Sequence, residues 1–128
     1  MRQTDLQIAA IGWLGQHRQF AALAERLGPG RVRTLDSETL TARPADSVSA
    51  LARFYDLGID SAAAAAIAAG PAFTSHSKGG GAFSRDERLA EQKQAVSAHA
   101  EEVEKVTAWA EAVAASAGQS LALPGALL

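Results

Sequence analysis

The feature that most constrains this chain of 128 residues is its one strand-like run, RVRTL at residues 31–35. The run is short, and no second convincing strand pattern occurs elsewhere in the sequence. Because a single strand cannot satisfy its own backbone hydrogen bonds, it has to pair with another segment. The sequence therefore predicts a mostly α-helical protein whose short strand completes a sheet in a partner or in a longer ancestral protein.

Length and composition narrow the class of protein further. The length is that of one domain, and a net charge of −2 with 20% charged residues gives no basic surface for nucleic acid. The absence of cysteine excludes disulfides and thiolate metal sites. No apolar run approaches the roughly 20 residues of a membrane span, and the N-terminus lacks a signal-peptide pattern. We therefore expect a cytoplasmic protein with no nucleic-acid or membrane partner.

Helix-start and helix-stop residues divide most of the chain into helices. Thr4 and Gln7 have the spacing of a capping box, and Gly28 followed by proline ends the helix that they begin. Later helices are expected to start at cap or first-turn residues, namely Asp36 or Ser37, Pro44, and Asp60 or Ser61. The sequence predicts one domain over residues 1–118, followed by a flexible tail at residues 119–128.

The first helix carries more apolar residues than one buried face needs. One face at helical period contains Leu6, Ala10, Trp13, Leu14, His17, Phe20, Ala21, Ala24 and Leu27. Ile8 and Ile11 widen this face, which predicts that the helix is covered on more than one side. Gly12 and Gly15 each cost about 1 kcal/mol relative to alanine inside a helix, so we expect close backbone contact there.

The last helix is predicted to run without a break from about residue 86 to residue 117. Apolar residues recur at every seventh position, at Leu89, Val96, Val103, Ala110 and Ala117. Such a stripe either forms a coiled coil with a partner or packs against the protein's own domain. Trp109 in this helix, like Trp13 in the first, is expected to anchor the core.

The segment from the first helix to residue 59 resembles the C-terminal half of P-loop sulfotransferases. In that family an acidic turn follows a strand, a proline follows the turn, and the next helix closes with F-L-G-L. Here LDSETL stands at the turn, Arg43 and Pro44 at the proline, and FYDLGI at the helix end. The resemblance extends over roughly residues 5–117 and implies a fragment of an α/β P-loop fold.

The resemblance also implies a nucleotide site in the loop that follows. The family carries a basic glycine loop, typically R-K-G, that holds the 3′-phosphate of phosphoadenosine phosphosulfate. Ser77, Lys78, Gly79 and Gly80 resemble this loop, with Ser77 at the position of the family arginine. We expect these four residues to be the cofactor-binding residues.

The chain departs from the family in lacking a P-loop and an upstream arginine–serine pair. The resemblance therefore implies a sulfotransferase-like segment that is inactive alone, with no catalytic residues of its own. Its expected partner is an N-terminal half that carries the P-loop, or a second copy through self-association. The alternative function is a non-enzymatic helical module that binds another protein through its last helix.

The remaining polar candidates have simpler interpretations. His76 is expected to be a solvent-exposed neighbour of the glycine loop, while His17 and His99 lie on apolar helix faces without metal-ligand spacing. Asp36 and Glu38 form a carboxylate pair whose place in a turn favours helix capping and pairing with Arg31 or Arg33. The sequence therefore predicts no metal site.

Overall fold

The structure is a computed structural model that describes residues 4–76, 79 and 81–128. Its described residues form seven helices: α1 (Asp5–Leu27), α2 (Ser37–Ala42), α3 (Pro44–Phe54), α4 (Ser61–Ala68), α5 (Pro71–Thr74), α6 (Arg85–Ala98) and α7 (Ala100–Ser116). The prediction of a mostly α-helical protein is confirmed. No helix in the described part combines the length and apolar character that crossing a membrane requires.

The helix boundaries follow the local capping chemistry. At α1, the Thr4 side chain accepts a hydrogen bond from the Gln7 backbone and the Gln7 side chain accepts one from the Thr4 backbone, so the capping box is complete. Gly28 ends this helix with a φ of 74°, a conformation that favours glycine. Asp36 and Asp60 cap α2 and α4 through their carboxylates.

The strand predicted at residues 31–35 is reduced to an isolated bridge. Thr34 pairs in parallel fashion with Ala126, and the Thr34 N–H donates to the carbonyl of Gly125 at 3.0 Å. The Thr34 hydroxyl donates to the carbonyl of Pro124 at 3.1 Å. The strand was expected to pair with a segment outside the chain, but the chain's own C-terminal segment supplies this pairing. The flexibility predicted for residues 119–128 stays a prediction.

The described chain divides into two compact units. The first contains residues 4–34 and 94–126, and the second contains the described part of residues 35–93 together with residues 127–128. The prediction of one domain over residues 1–118 stays a prediction. Each unit has its own small core, in which alanine is the commonest buried residue.

In the first unit, α1 packs against α7. The buried residues are Leu14, His17 and Ala24 of α1 and Ala114 of α7. The Gln119 side chain donates to the backbone carbonyl of Leu14 at 3.0 Å, which ties the chain beyond α7 to the middle of α1. Trp13 was expected to anchor the core, but 52% of it is exposed. At 100° per residue, Trp13 lies at the edge of the buried face, next to exposed Phe20, whereas Trp109, also expected to anchor the core, is half-buried.

In the second unit, α3 packs against α4. The buried residues at this core are Ser47, Ala50 and Ala52 of α3 and Ala64 of α4. Each is small, so the contact leaves no room for a larger side chain without displacement. The Ser47 hydroxyl has no hydrogen-bond partner among the described residues.

The predicted last helix is interrupted at His99. The backbone of His99 has φ −126° and ψ 27°, which is not helical, and α7 begins at the next residue. Val96, before the interruption, is 46% exposed, whereas Val103 and Val106 in α7 are half-buried. The α7 half of this apolar stripe therefore packs against α1 within the first unit.

Candidate functional site

The side of α1 that points away from its buried face exposes several apolar side chains. At 100° per residue, one strip of α1 lies opposite Leu14, His17 and Ala24. We call this strip the outward face, and it contains Ile8, Ile11, Gly12, Gly15, Gln19, Ala22 and Leu23. All seven are exposed, with exposed fractions of 57% for Ile8, 48% for Ile11 and 37% for Leu23.

Two aromatic side chains lie beside the outward face. Trp13 and Phe20 are 52% and 55% exposed, and helical spacing places them on the same flank. The Trp13 ring contacts the ring of buried His17 at a centroid distance of 4.8 Å, in a tilted arrangement. The flank therefore joins the apolar outward face to the edge of the core.

The outward face also allows close backbone approach. A Cβ atom added at Gly12 or Gly15 would have nothing within 4 Å among the described atoms. The close backbone contact expected there does not occur in the structure, and the expectation that α1 is covered on more than one side is wrong for the described chain. A second helix could approach the α1 backbone more closely at these positions than anywhere along a side-chain-covered face.

Charges of opposite sign lie at the two ends of the same surface. Asp5 lies in the first turn of α1 and Arg26 in its last turn, so both complement the helix dipole. Both side chains are exposed and neither forms an ion pair with another described residue.

A groove opens at the N-terminal end of α1. It encloses about 610 Å³ and is lined mainly by apolar atoms. Its walls are formed by Thr4, Asp5, Leu6, Ala95, Val96, His99, Glu102 and Val103. His99, predicted on an apolar helix face, is instead exposed at the junction of α6 and α7 and contributes to this wall.

In the second unit, backbone hydrogen bonds join the residues on either side of the glycine loop (residues 77–80). The His76 N–H donates to the carbonyl of Gly81 at 2.8 Å, and the Phe83 N–H donates to that of Thr74 at 2.8 Å. These bonds flank an antiparallel bridge between Ser75 and Ala82. The expected exposure of His76 is found, with its ring edge-on to that of Phe83 at 5.4 Å.

The structure describes only one of the four predicted cofactor-binding residues. Gly79 lies in a turn with a φ of 109°, a conformation that favours glycine. Ser77, Lys78 and Gly80 lie outside the described residues. Binding by this loop therefore stays a prediction.

The predicted carboxylate pair is divided between two structural roles. Asp36 caps α2, accepting from the Thr39 hydroxyl at 2.6 Å and from the Thr39 N–H at 2.7 Å. Glu38 pairs with Arg85 at the start of α6 rather than with Arg31 or Arg33. The two carboxylates therefore have separate partners.

The cap also predicts a dependence of stability on pH. The hydroxyl and the N–H of Thr39 stabilise the charged carboxylate, so the pKa of Asp36 is lowered from its ordinary value of 3.8. A lowered folded-state pKa gives stabilisation that is complete above the unfolded pKa and is lost as pH falls through the folded pKa. Thr39→Val should therefore raise the pKa of Asp36, measured from its side-chain carboxyl shift by NMR. An unchanged pKa would contradict the role of the hydroxyl.

No group of three or more potential metal-ligating side chains occurs among the residues that the structure describes. Comparison with protein-family models, curated proteins and solved structures finds no match to this chain. The outward face of α1 is one candidate site because its large apolar residues are exposed, and the glycine loop is the second because the family resemblance predicts it. The sequence pattern included Ile8 and Ile11 of the outward face but predicted that they are covered, and it did not single out Leu23.

Proposed function

We propose that this chain is a non-enzymatic helical module that binds another protein through the outward face of α1. The observation that carries the proposal is the exposure of Ile8, Ile11 and Leu23 on a helix that also buries its opposite face. An amphipathic helix normally carries polar and charged residues on the face opposite its buried one, whereas this face of α1 also carries three large apolar side chains. A contiguous exposed apolar surface is typical of a protein-interaction site.

Burial of this face supplies the binding free energy in the proposal. Removing apolar surface from water contributes about 25 cal/mol per Å², and Trp13 and Phe20 at the flank belong to the residue types that carry much of the energy in protein interfaces. The alternative considered from the sequence placed the contact on the last helix. The packing of α7 against α1 makes the outward face of α1 the better candidate.

Site-specific photo-cross-linking, in the cells that express the protein, tests whether the outward face binds another protein. A photoreactive amino acid replaces Ile11 on the outward face or, as a matched control, Ile67 on α4, which is 41% exposed. We expect a protein adduct from position 11 and none from position 67. The absence of an adduct at position 11, or an equal adduct from position 67, would contradict the proposal.

A second candidate function is the sulfotransferase-like phosphate site at Lys78. The observation that favours it is the hydrogen-bonded base of the glycine loop, since holding the loop ends together removes part of the entropy cost of ordering it. The implied ligand is the 3′-phosphate of phosphoadenosine phosphosulfate. This function would require an N-terminal half that carries the P-loop.

Calorimetry separates this candidate from an ordinary surface loop. Ordering a backbone residue costs about 1–2 kcal/mol, and one exposed ion pair returns roughly 0–1 kcal/mol. The chain alone should therefore bind phosphoadenosine nucleotides with millimolar or weaker affinity. With a P-loop half added, binding should tighten, and Lys78→Ala should weaken it while Lys93→Ala should not. If Lys78→Ala and Lys93→Ala changed the nucleotide affinity equally, the glycine loop would not be part of the phosphate site.

A further inference from the structure

We propose that the partner of the outward face is a second copy of this chain, bound through an antiparallel contact between the two α1 helices. The inference rests on the proposed function and names its partner. It follows from the positions of the charges, glycines and apolar side chains along α1. When a second α1 helix runs in the opposite direction, its charges and apolar side chains are complementary to those of the first.

The charges define the direction of the pairing. In an antiparallel pair centred between Gly15 and Gln16, Asp5 of each copy lies beside Arg26 of the other, so the twofold symmetry creates two oppositely charged pairs. A parallel pair would instead place Asp5 beside Asp5 and Arg26 beside Arg26. Antiparallel helix dipoles add to the same preference. Charge complementarity of this kind selects the orientation of an interface more than its strength.

The apolar residues match in the same register. Ile8 of one copy lies beside Leu23 of the other, and both are exposed in the single chain. A twofold contact requires one surface to be complementary to itself. In the register that also pairs the charges, the contact is centred on Ile8 with Leu23, and Ile11 of each copy lies beside Phe20 of the flank on the other.

The glycines lie where the two backbones come closest. Gly15 is next to the twofold axis and Gly12 is one turn away, with open space at the Cβ position of both. Paired helices are separated by roughly 8–10 Å, depending on the side chains at the contact. Glycine at the centre permits the shorter spacing, which brings Ile8 and Leu23 into contact.

The size of the contact sets its expected strength. A 23-residue helix is about 34 Å long, and one helix face of this length lies at the low end of specific interface areas. We therefore expect a reversible dimer with a dissociation constant in the micromolar range, seen by sedimentation equilibrium of the 13.2 kDa chain.

The first test compares two isoleucine variants at matched concentration. Ile11→Glu places a charge in the outward face and should weaken the dimer at least about tenfold, whereas Ile67→Glu on α4 should leave it unchanged. Circular dichroism establishes that both variants remain helical. A dimer that survives Ile11→Glu in a folded variant would overturn the proposal.

The second test measures the direction of pairing by disulfide formation. The natural chain has no cysteine, so single introduced thiols report only the contact of interest. Oxidation of a mixture of Ile8→Cys and Leu23→Cys chains should give a mixed disulfide dimer, and Ile8→Cys alone should give little. Rapid cross-linking of Ile8→Cys with itself would indicate parallel pairing and overturn the antiparallel contact.

The two proposals fail in distinguishable ways. A chain that stays monomeric at millimolar concentration, yet forms a photo-adduct with a different protein at position 11, overturns self-pairing and supports the interaction module. A monomer without any adduct on the outward face overturns both. A concentration-dependent dimer whose position-11 adduct is a second copy supports both.

Discussion

Leu14→Ala should lower the free energy of unfolding by about 2–5 kcal/mol, the range for a buried leucine truncated to alanine. Leu14 is only 6% exposed and lies on the face of α1 that packs against α7. The loss combines the transfer free energy of the side chain with the cost of a cavity. Since stability is commonly about 5–15 kcal/mol, this variant should unfold at a much lower urea concentration, followed by circular dichroism.

Leu23→Ala is the matched control for this prediction. Leu23 lies on the same helix but is 37% exposed on the outward face, so the same truncation removes less buried surface. Measured at a chain concentration where the protein is monomeric, its loss of stability should be less than half that of Leu14→Ala. Equal losses would show that α1 does not have the buried and outward faces described above.

Helix boundaries could be predicted from the sequence because capping is a local interaction. Thr4 and Asp60 each contact a backbone N–H three residues away, so the signal and the structure occupy the same short segment. Pro44 begins α3 for a similar reason, since its fixed φ suits the first turn. These residues specify a helical fold before any tertiary contact is considered.

The buried faces could be predicted only in part. The period of α1 correctly placed Leu14, His17 and Ala24 on one face, but its many apolar residues left the width of that face undefined. The prediction that Trp13 is buried was wrong. It rested on the size of the side chain, because large aromatic side chains contribute most to a core when they are buried. Leu14 is 6% exposed on the face that packs against α7, whereas Trp13, at the edge of the same face, is 52% exposed.

Contacts between distant segments left no usable signal in the sequence. The Thr34 hydroxyl bonds to the carbonyl of Pro124, a residue 90 positions away, and nothing in the local pattern of either segment identifies the other. The pairing of Glu38 with Arg85 is similarly distant. The candidate site on α1 could be predicted as apolar but not as exposed, because exposure depends on which partner helix is present.

Ser47→Ala should raise the free energy of unfolding by about 1–3 kcal/mol, the cost of a buried polar group left without a hydrogen bond. Ser47 has an exposed fraction of 0% at the α3–α4 core, and its hydroxyl has no hydrogen-bond partner among the described residues. Alanine removes that hydroxyl and leaves a cavity of only one atom. Ser49→Ala, on the same helix but only half-buried, should gain no more than the small difference in helix propensity, about 0.5 kcal/mol. Urea unfolding of the two variants measures the difference, and a loss of stability in Ser47→Ala would mean that the hydroxyl is satisfied in solution.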